Sequence, residues 1–81
     1  MTKTSKLIAS IRNNPKMVRF DEACKIAIKI GFIYSGGKGS HQVFKRLDEP
    51  VQLNFQNRNG YVPYYQAMQL IAMLEKYEVE Q

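Results

Sequence analysis

The single histidine of this chain, His41, closes the run Gly36-Gly37-Lys38-Gly39-Ser40-His41, which also supplies a lysine and a hydroxyl. An imidazole gains and loses a proton near neutral pH, so it can serve as a general acid or base where a hydroxyl must be activated. Gly37 and Gly39 allow backbone N–H groups to approach an anion closely, and Lys38 and Ser40 add two further donors. Lys45 and Arg46 follow within the next strand-forming stretch and bring more positive charge. The chemistry that fits is attack of an RNA 2′-hydroxyl on the adjacent phosphorus. His41 would move the proton, and Gly37, Lys38, Gly39, Ser40, Lys45 and Arg46 would hold phosphate. Read without function, the same residues make an ordinary hairpin turn and a solvated strand edge.

Other chemistries fit less well. A nucleoside-triphosphate loop needs the order G-x-x-x-x-G-K-[ST] leading into a helix, whereas here Lys38 precedes the last glycine and a strand-like stretch follows. With one His, one Cys and carboxylates adjacent only at Asp21-Glu22 and Asp48-Glu49, no metal-ligand spacing emerges, so the expectation is a metal-free site without cofactors. Cys24 lies among apolar residues and reads as a buried, reduced thiol rather than a nucleophile. No apolar run approaches the length of a membrane span, and no apolar signal-peptide core is present, so the expected setting is the cytoplasm, with no membrane partner.

Charge points toward a polyanion. Residues 1 to 61 carry eleven Lys/Arg against four Asp/Glu, and residues 62 to 81 carry one against three, which sums to the net +5. A basic excess of this kind attracts nucleic acid through counterion release, although it also serves plain solubility. The 81 residues make a single domain, 1–81. A chain this short buries only about 60% of the surface its unfolded form exposes, so a deep pocket is not expected.

The elements that must position His41 can be read from spacing. Thr4 or Ser5 suits the cap of a first helix with Leu7, Ile8 and Ile11 on one side, ending at Asn13-Asn14-Pro15. Asp21 suits the start of a second helix, with Gly31 as its left-handed stop. Glu22, Lys25 and Lys29 form that helix's one polar stripe, so Ala23, Cys24, Ile26, Ala27, Ile28 and Ile30 are expected to be covered. Phe32-Ile33-Tyr34, His41 to Leu47 and Val51 to Gln56 read as three strands, with Val51, Leu53 and Phe55 pointing inward. Pro63 opens a third helix with Ala67, Leu70, Ile71 and Leu74 inward and Gln66, Gln69 and Lys76 outward. The expected fold class is α+β, with helices on one face of a three-stranded antiparallel sheet in the order ααβββα. Tyr34, Tyr61, Tyr64 and Tyr65 flank the loops, either stacking on bases or packing at the rim of the core.

At Gly39-Ser40-His41, followed by Gln42-Val43-Phe44, the chain resembles the HicA-type toxins of toxin-antitoxin pairs. The Lys29-Ile30-Gly31-Phe32 segment, the glycine-containing turn and the order of elements extend the likeness over roughly residues 16 to 77. The resemblance implies a fold like the double-stranded RNA-binding domain. It implies cleavage of messenger RNA by the signature histidine, here His41, and neutralisation by a HicB-type antitoxin that covers it. The Pro-x-His element of many such toxins is replaced by Asn54-Phe55-Gln56, so a second histidine contributes nothing here. Two further readings stay open: a non-catalytic RNA-binding module, and a basic protein-interaction domain.

Overall fold

The clean alternation of Leu53, Asn54, Phe55 and Gln56 sets the frame on which the other elements pack. The structure, a computed structural model, describes residues 3–77; the ends of the expected 1–81 domain, residues 1–2 and 78–81, lie outside the described residues. Helix α1 spans Lys3–Asn13, a 3₁₀ turn covers Pro15–Met17, and α2 spans Phe20–Lys29. Strands β1 (Ile33–Gly36), β2 (His41–Lys45) and β3 (Leu53–Gln56) follow, then α3 (Tyr64–Tyr77).

The three strands pair antiparallel in the order β1-β2-β3. Phe44, Leu53 and Phe55 are buried on one face, where α2 and α3 pack, and α1 lies against both helices. Ala23, Ala27 and Ala67 have no exposed surface, so these helices seat close to the sheet. The Phe44 and Phe55 rings, 5.8 Å apart, fill the space beneath them. The fold is α+β: the α-β-β-β-α layout of the double-stranded RNA-binding domain, preceded by one additional helix.

Gly31 ends α2 at φ 99° as expected. Several boundaries differ from the sequence reading. Thr4 and Ser5 fall inside α1 rather than ahead of it. Arg19, not Asp21, is the residue before α2, and Asp21 sits in its first turn, where a negative charge still favours the helix dipole. Ile28 is 57% exposed because α1 covers only part of α2. It lies on an open groove of about 700 Å³ between the two helices, beside Leu7, Lys25 and Lys29. Gln66, expected outside, is buried: its Oε1 accepts the Gln56 N–H at 2.7 Å and so satisfies the free edge of β3.

The largest difference is the β2–β3 connection. Leu47 and Val51 were expected in strands but are 83% and 40% exposed, and both lie outside the ladder. The reason is a polar tie to the end of α3. Asp48 adopts φ 68° in a turn closed by the Glu49 N–H donating to the Arg46 carbonyl at 3.1 Å. Glu49 is buried and accepts three hydrogen bonds: from Lys76 Nζ at 2.7 Å, from the Tyr77 hydroxyl, and from the Val51 N–H at 2.9 Å. A loop tied this way cannot also extend the strands.

Those contacts hold the Glu49 carboxyl at about 2, the Lys76 hydrogen bond contributing most, then Tyr77, then the Val51 N–H. The Lys76 ammonium is pushed upward by the same partner. A carboxylate lowered in the folded state adds stability above its usual range near 4.5, and this contribution fades as pH falls toward 2. Thermal melting of the wild type is therefore expected to weaken across that window. Glu49→Gln should melt lower at neutral pH and lose much of this acid dependence; parallel pH curves for the two proteins would refute the assignment.

Candidate functional site

The register between β2 and β3 decides where His41 points. His41 pairs with Gln56 and Val43 with Asn54. The Asn57 N–H donates to the Ser40 carbonyl at 2.8 Å, while the Gln56 N–H turns the other way, to Gln66. His41 and Gln56 therefore form the closer, non-hydrogen-bonded type of antiparallel pair, with Cα atoms about 4.5 Å apart. Gln42 and Phe44 point toward the helices, where Gln42 Oε1 accepts a weak hydrogen bond from Cys24 Sγ at 3.7 Å. By the two-residue period, His41, Val43 and Lys45 share the helix-free face, and His41 is exposed there. Among the described residues no side chain hydrogen-bonds or ion-pairs with the His41 imidazole.

The turn before it is built by glycine. Ser35 is the bulged residue between Tyr34, paired with Phe44, and Gly36, paired with Val43. Gly37 then passes so close to β2 that a Cβ there would lie 2.2 Å from the His41 carbonyl oxygen and 2.9 Å from Gln42 Cα. Gly39 takes φ 57°, and the His41 N–H closes the turn on the Lys38 carbonyl at 2.9 Å. Among the described residues, the N–H groups of Lys38, Gly39 and Ser40 have no intrachain acceptor. Three exposed backbone donors, the Lys38 ammonium and the Ser40 hydroxyl thus lie within a few residues of an exposed imidazole. That is a set of groups able to hold an anion beside a proton carrier.

Of the residues expected to bind phosphate, Gly37, Lys38, Gly39 and Ser40 are gathered with His41. Lys45 lies on the same face but opposite Ile33, at the far end of β2, about 13 Å along the strand. Arg46 does not join them. It leaves β2 as the chain turns, stands over the Tyr77 ring at 4.0 Å and lies against Gly31 at the end of α2. Its Nε is buried without an acceptor among the described residues. Stacking on Tyr77 and proximity to the negative end of α2 account for this position, which is structural. Cys24 is half-buried, and burial, with the Asp21 charge second, pushes its thiol up to about 11. At neutral pH it stays protonated and is a poor nucleophile.

The sequence reading passed over Arg58. Its Nη2 donates to Gln56 Oε1 at 3.2 Å, beside His41. The signal was present in Asn59-Gly60, a two-residue hairpin turn with φ 55° and 93°, which fixes where Arg58 returns. Among the described residues, no three His, Cys, Asp or Glu side chains gather as metal ligands would. No helix among them is long and apolar enough to cross a membrane. Comparison with known proteins gives no matching family model, no match among curated proteins and none among solved structures.

Gly37→Ala should lower stability by about 1 to 3 kcal/mol, since the new methyl meets backbone that has nowhere to go. Gly36→Ala meets no atom within 4 Å, so it carries conformational strain alone and should cost less. Denaturant unfolding of the two variants checks the ranking; equal stabilities would mean that the turn does not sit as close to His41 as described.

Proposed function

We propose that this chain is a small ribonuclease of the HicA toxin type that cuts messenger RNA without a metal or cofactor. The observation that carries the reading is the setting of its sole histidine: exposed on the open sheet face, directly behind a turn with a lysine and with backbone donors unpaired among the described residues. The backbone N–H groups of Lys38, Gly39 and Ser40, with the Lys38 ammonium, hold the scissile phosphate. His41 takes the proton from the neighbouring 2′-hydroxyl. The 2′-oxygen bonds to phosphorus, the bond from phosphorus to the 5′-oxygen breaks, and the leaving oxygen takes a proton from water. The products are a 2′,3′-cyclic phosphate and a free 5′-hydroxyl.

Such a site is open, and among the described residues its imidazole lacks an orienting partner, so the rate is modest. General base assistance is worth about 10² to 10⁴ in rate. A toxin held in check suits that magnitude, and a HicB-type antitoxin that covers His41 is the expected protein partner in the cytoplasm. The unoriented imidazole also favours a second reading, a non-catalytic RNA-binding module with the same surface.

Purified wild-type protein is expected to cut RNA in EDTA, and His41→Ala to cut about 10² to 10⁴ times more slowly while melting at the same temperature. Induced expression of the wild type, but not of this variant, is expected to arrest growth. RNA binding with equal, background cutting by both proteins would replace the first reading with the second.

A further inference from the structure

Two backbone pairings bring positions 19, 58 and 61 together, ending beside the cross-strand partner of His41. At the Asn59-Gly60 turn, Arg58 and Tyr61 exchange both backbone hydrogen bonds, at 2.8 and 3.1 Å. Tyr61 pairs in turn with Arg19. This second pairing is held by Val62 N–H to the Val18 carbonyl and Phe20 N–H to the Gly60 carbonyl, both 2.9 Å. Directly paired residues place their side chains on the same side. Arg58, Tyr61 and Arg19 therefore stand in a row, an arginine on each side of the ring, with neighbouring backbones about 4.8 Å apart. The Arg19 guanidinium lies 5.9 Å from the Tyr61 ring centre. Arg58 joins the row to the site through Gln56, the cross-strand partner of His41.

Just ahead of Arg19 and just after Tyr61 in the chain, the 3₁₀ turn and the start of α3 bring a second cation and ring together. Lys16 Nζ lies 5.9 Å from the Tyr64 ring centre; Tyr64 and Tyr65 are 49% and 60% exposed, and the Tyr65 hydroxyl accepts from Gln66 Nε2 at 3.3 Å. Both tyrosines stand in the first turn of α3 with about half or more of their surface in water, which leaves ring area open to a ligand. Among the described residues, the acidic group that ion-pairs with the row is Asp21, 3.7 Å from Arg19 Nε, and both of these side chains are largely exposed.

Rings interleaved with cations suit one ligand chemistry above others. Unpaired bases stack on aromatic faces and on guanidinium planes, while the cations follow the phosphates; a duplex keeps its base faces hidden. We infer that the Arg58, Tyr61 and Arg19 row, with Lys16, Tyr64 and Tyr65, is a stacking platform for a single RNA strand whose backbone continues past Gln56 to His41. The platform rests on the ribonuclease reading for its role in leading substrate to the imidazole, but binding to it can be measured without cleavage.

Fluorescence anisotropy with a short labelled RNA free of self-complementarity tests it, using the full chain carrying His41→Ala so that nothing is cut. Adding Tyr64→Leu with Tyr65→Leu, or Arg58→Gln alone, should each weaken single-strand binding about tenfold, with affinity for a duplex of the same sequence unchanged. These side chains are exposed, and circular dichroism confirms that each variant is folded. Unchanged single-strand affinity in both folded variants, an equal loss on duplex and single strand, or no RNA binding by the parent would overturn the platform. Platform-dependent binding together with a His41 protein that cuts nothing would uphold the platform and remove the ribonuclease reading.

Discussion

The pairing of His41 with Gln56 sets the character of the open sheet face. Side chains alternate along a strand, so a slip of one residue would carry His41 beneath α2 and lift Phe44 into water. Burying an aromatic or leucine side chain is worth about 1.5 to 3 kcal/mol. Phe44, Leu53 and Phe55 are all buried on the helix side of this one register. The imidazole is thus held outside by the core, without a side-chain hydrogen bond or ion pair among the described residues, and the exposure that chemistry requires follows from the packing that stability requires.

The two ends of β2 are put to different uses. At its start, Gly37 packs against the His41 backbone, and the turn leaves three N–H groups without an intrachain acceptor among the described residues. At its end, the chain is locked: Arg46 lies on Tyr77, and Glu49 gathers hydrogen bonds from Lys76, Tyr77 and the Val51 backbone. Positive charge near the strand is accordingly divided. Arg46 serves the fold, and Lys38, which has no side-chain partner among the described residues, stands ready to meet an anion. The same division explains why Lys38, and not Arg46, stands beside the histidine of this basic chain.

Much of the fold was legible because its signals are local. Gly31 marks the end of α2 through its backbone, Leu53 and Phe55 mark the inward face of β3, and the apolar spacing of Ala67, Leu70 and Leu74 marks α3. The strand ends were not legible, since Leu47 and Val51 look like strand residues and are excluded only by the tie between Glu49 and the last turn of α3. Gln66 reads as a surface residue until β3 proves to be an edge strand with an N–H to satisfy. At the site, the glycine turn and His41 could be read directly, while the displacement of Arg46 and the placement of Arg58 depend on partners distant in sequence. The Asn59-Gly60 turn was a readable signal, but the pairings on either side of it are single bridges, too short to show an alternating pattern.

The central claim is that His41 activates the ribose 2′-hydroxyl of a bound strand, and the chemistry of the cut ends tests it most directly. Mass spectrometry of the fragments released by the purified protein is expected to find 2′,3′-cyclic phosphate on the upstream piece and a 5′-hydroxyl on the downstream one. A chemically matched strand lacking 2′-hydroxyls is expected to stay intact. Fragments bearing 5′-phosphates, or cutting of the deoxy strand at a similar rate, would contradict the account, because attack would then come from water and the imidazole would have no 2′-proton to take.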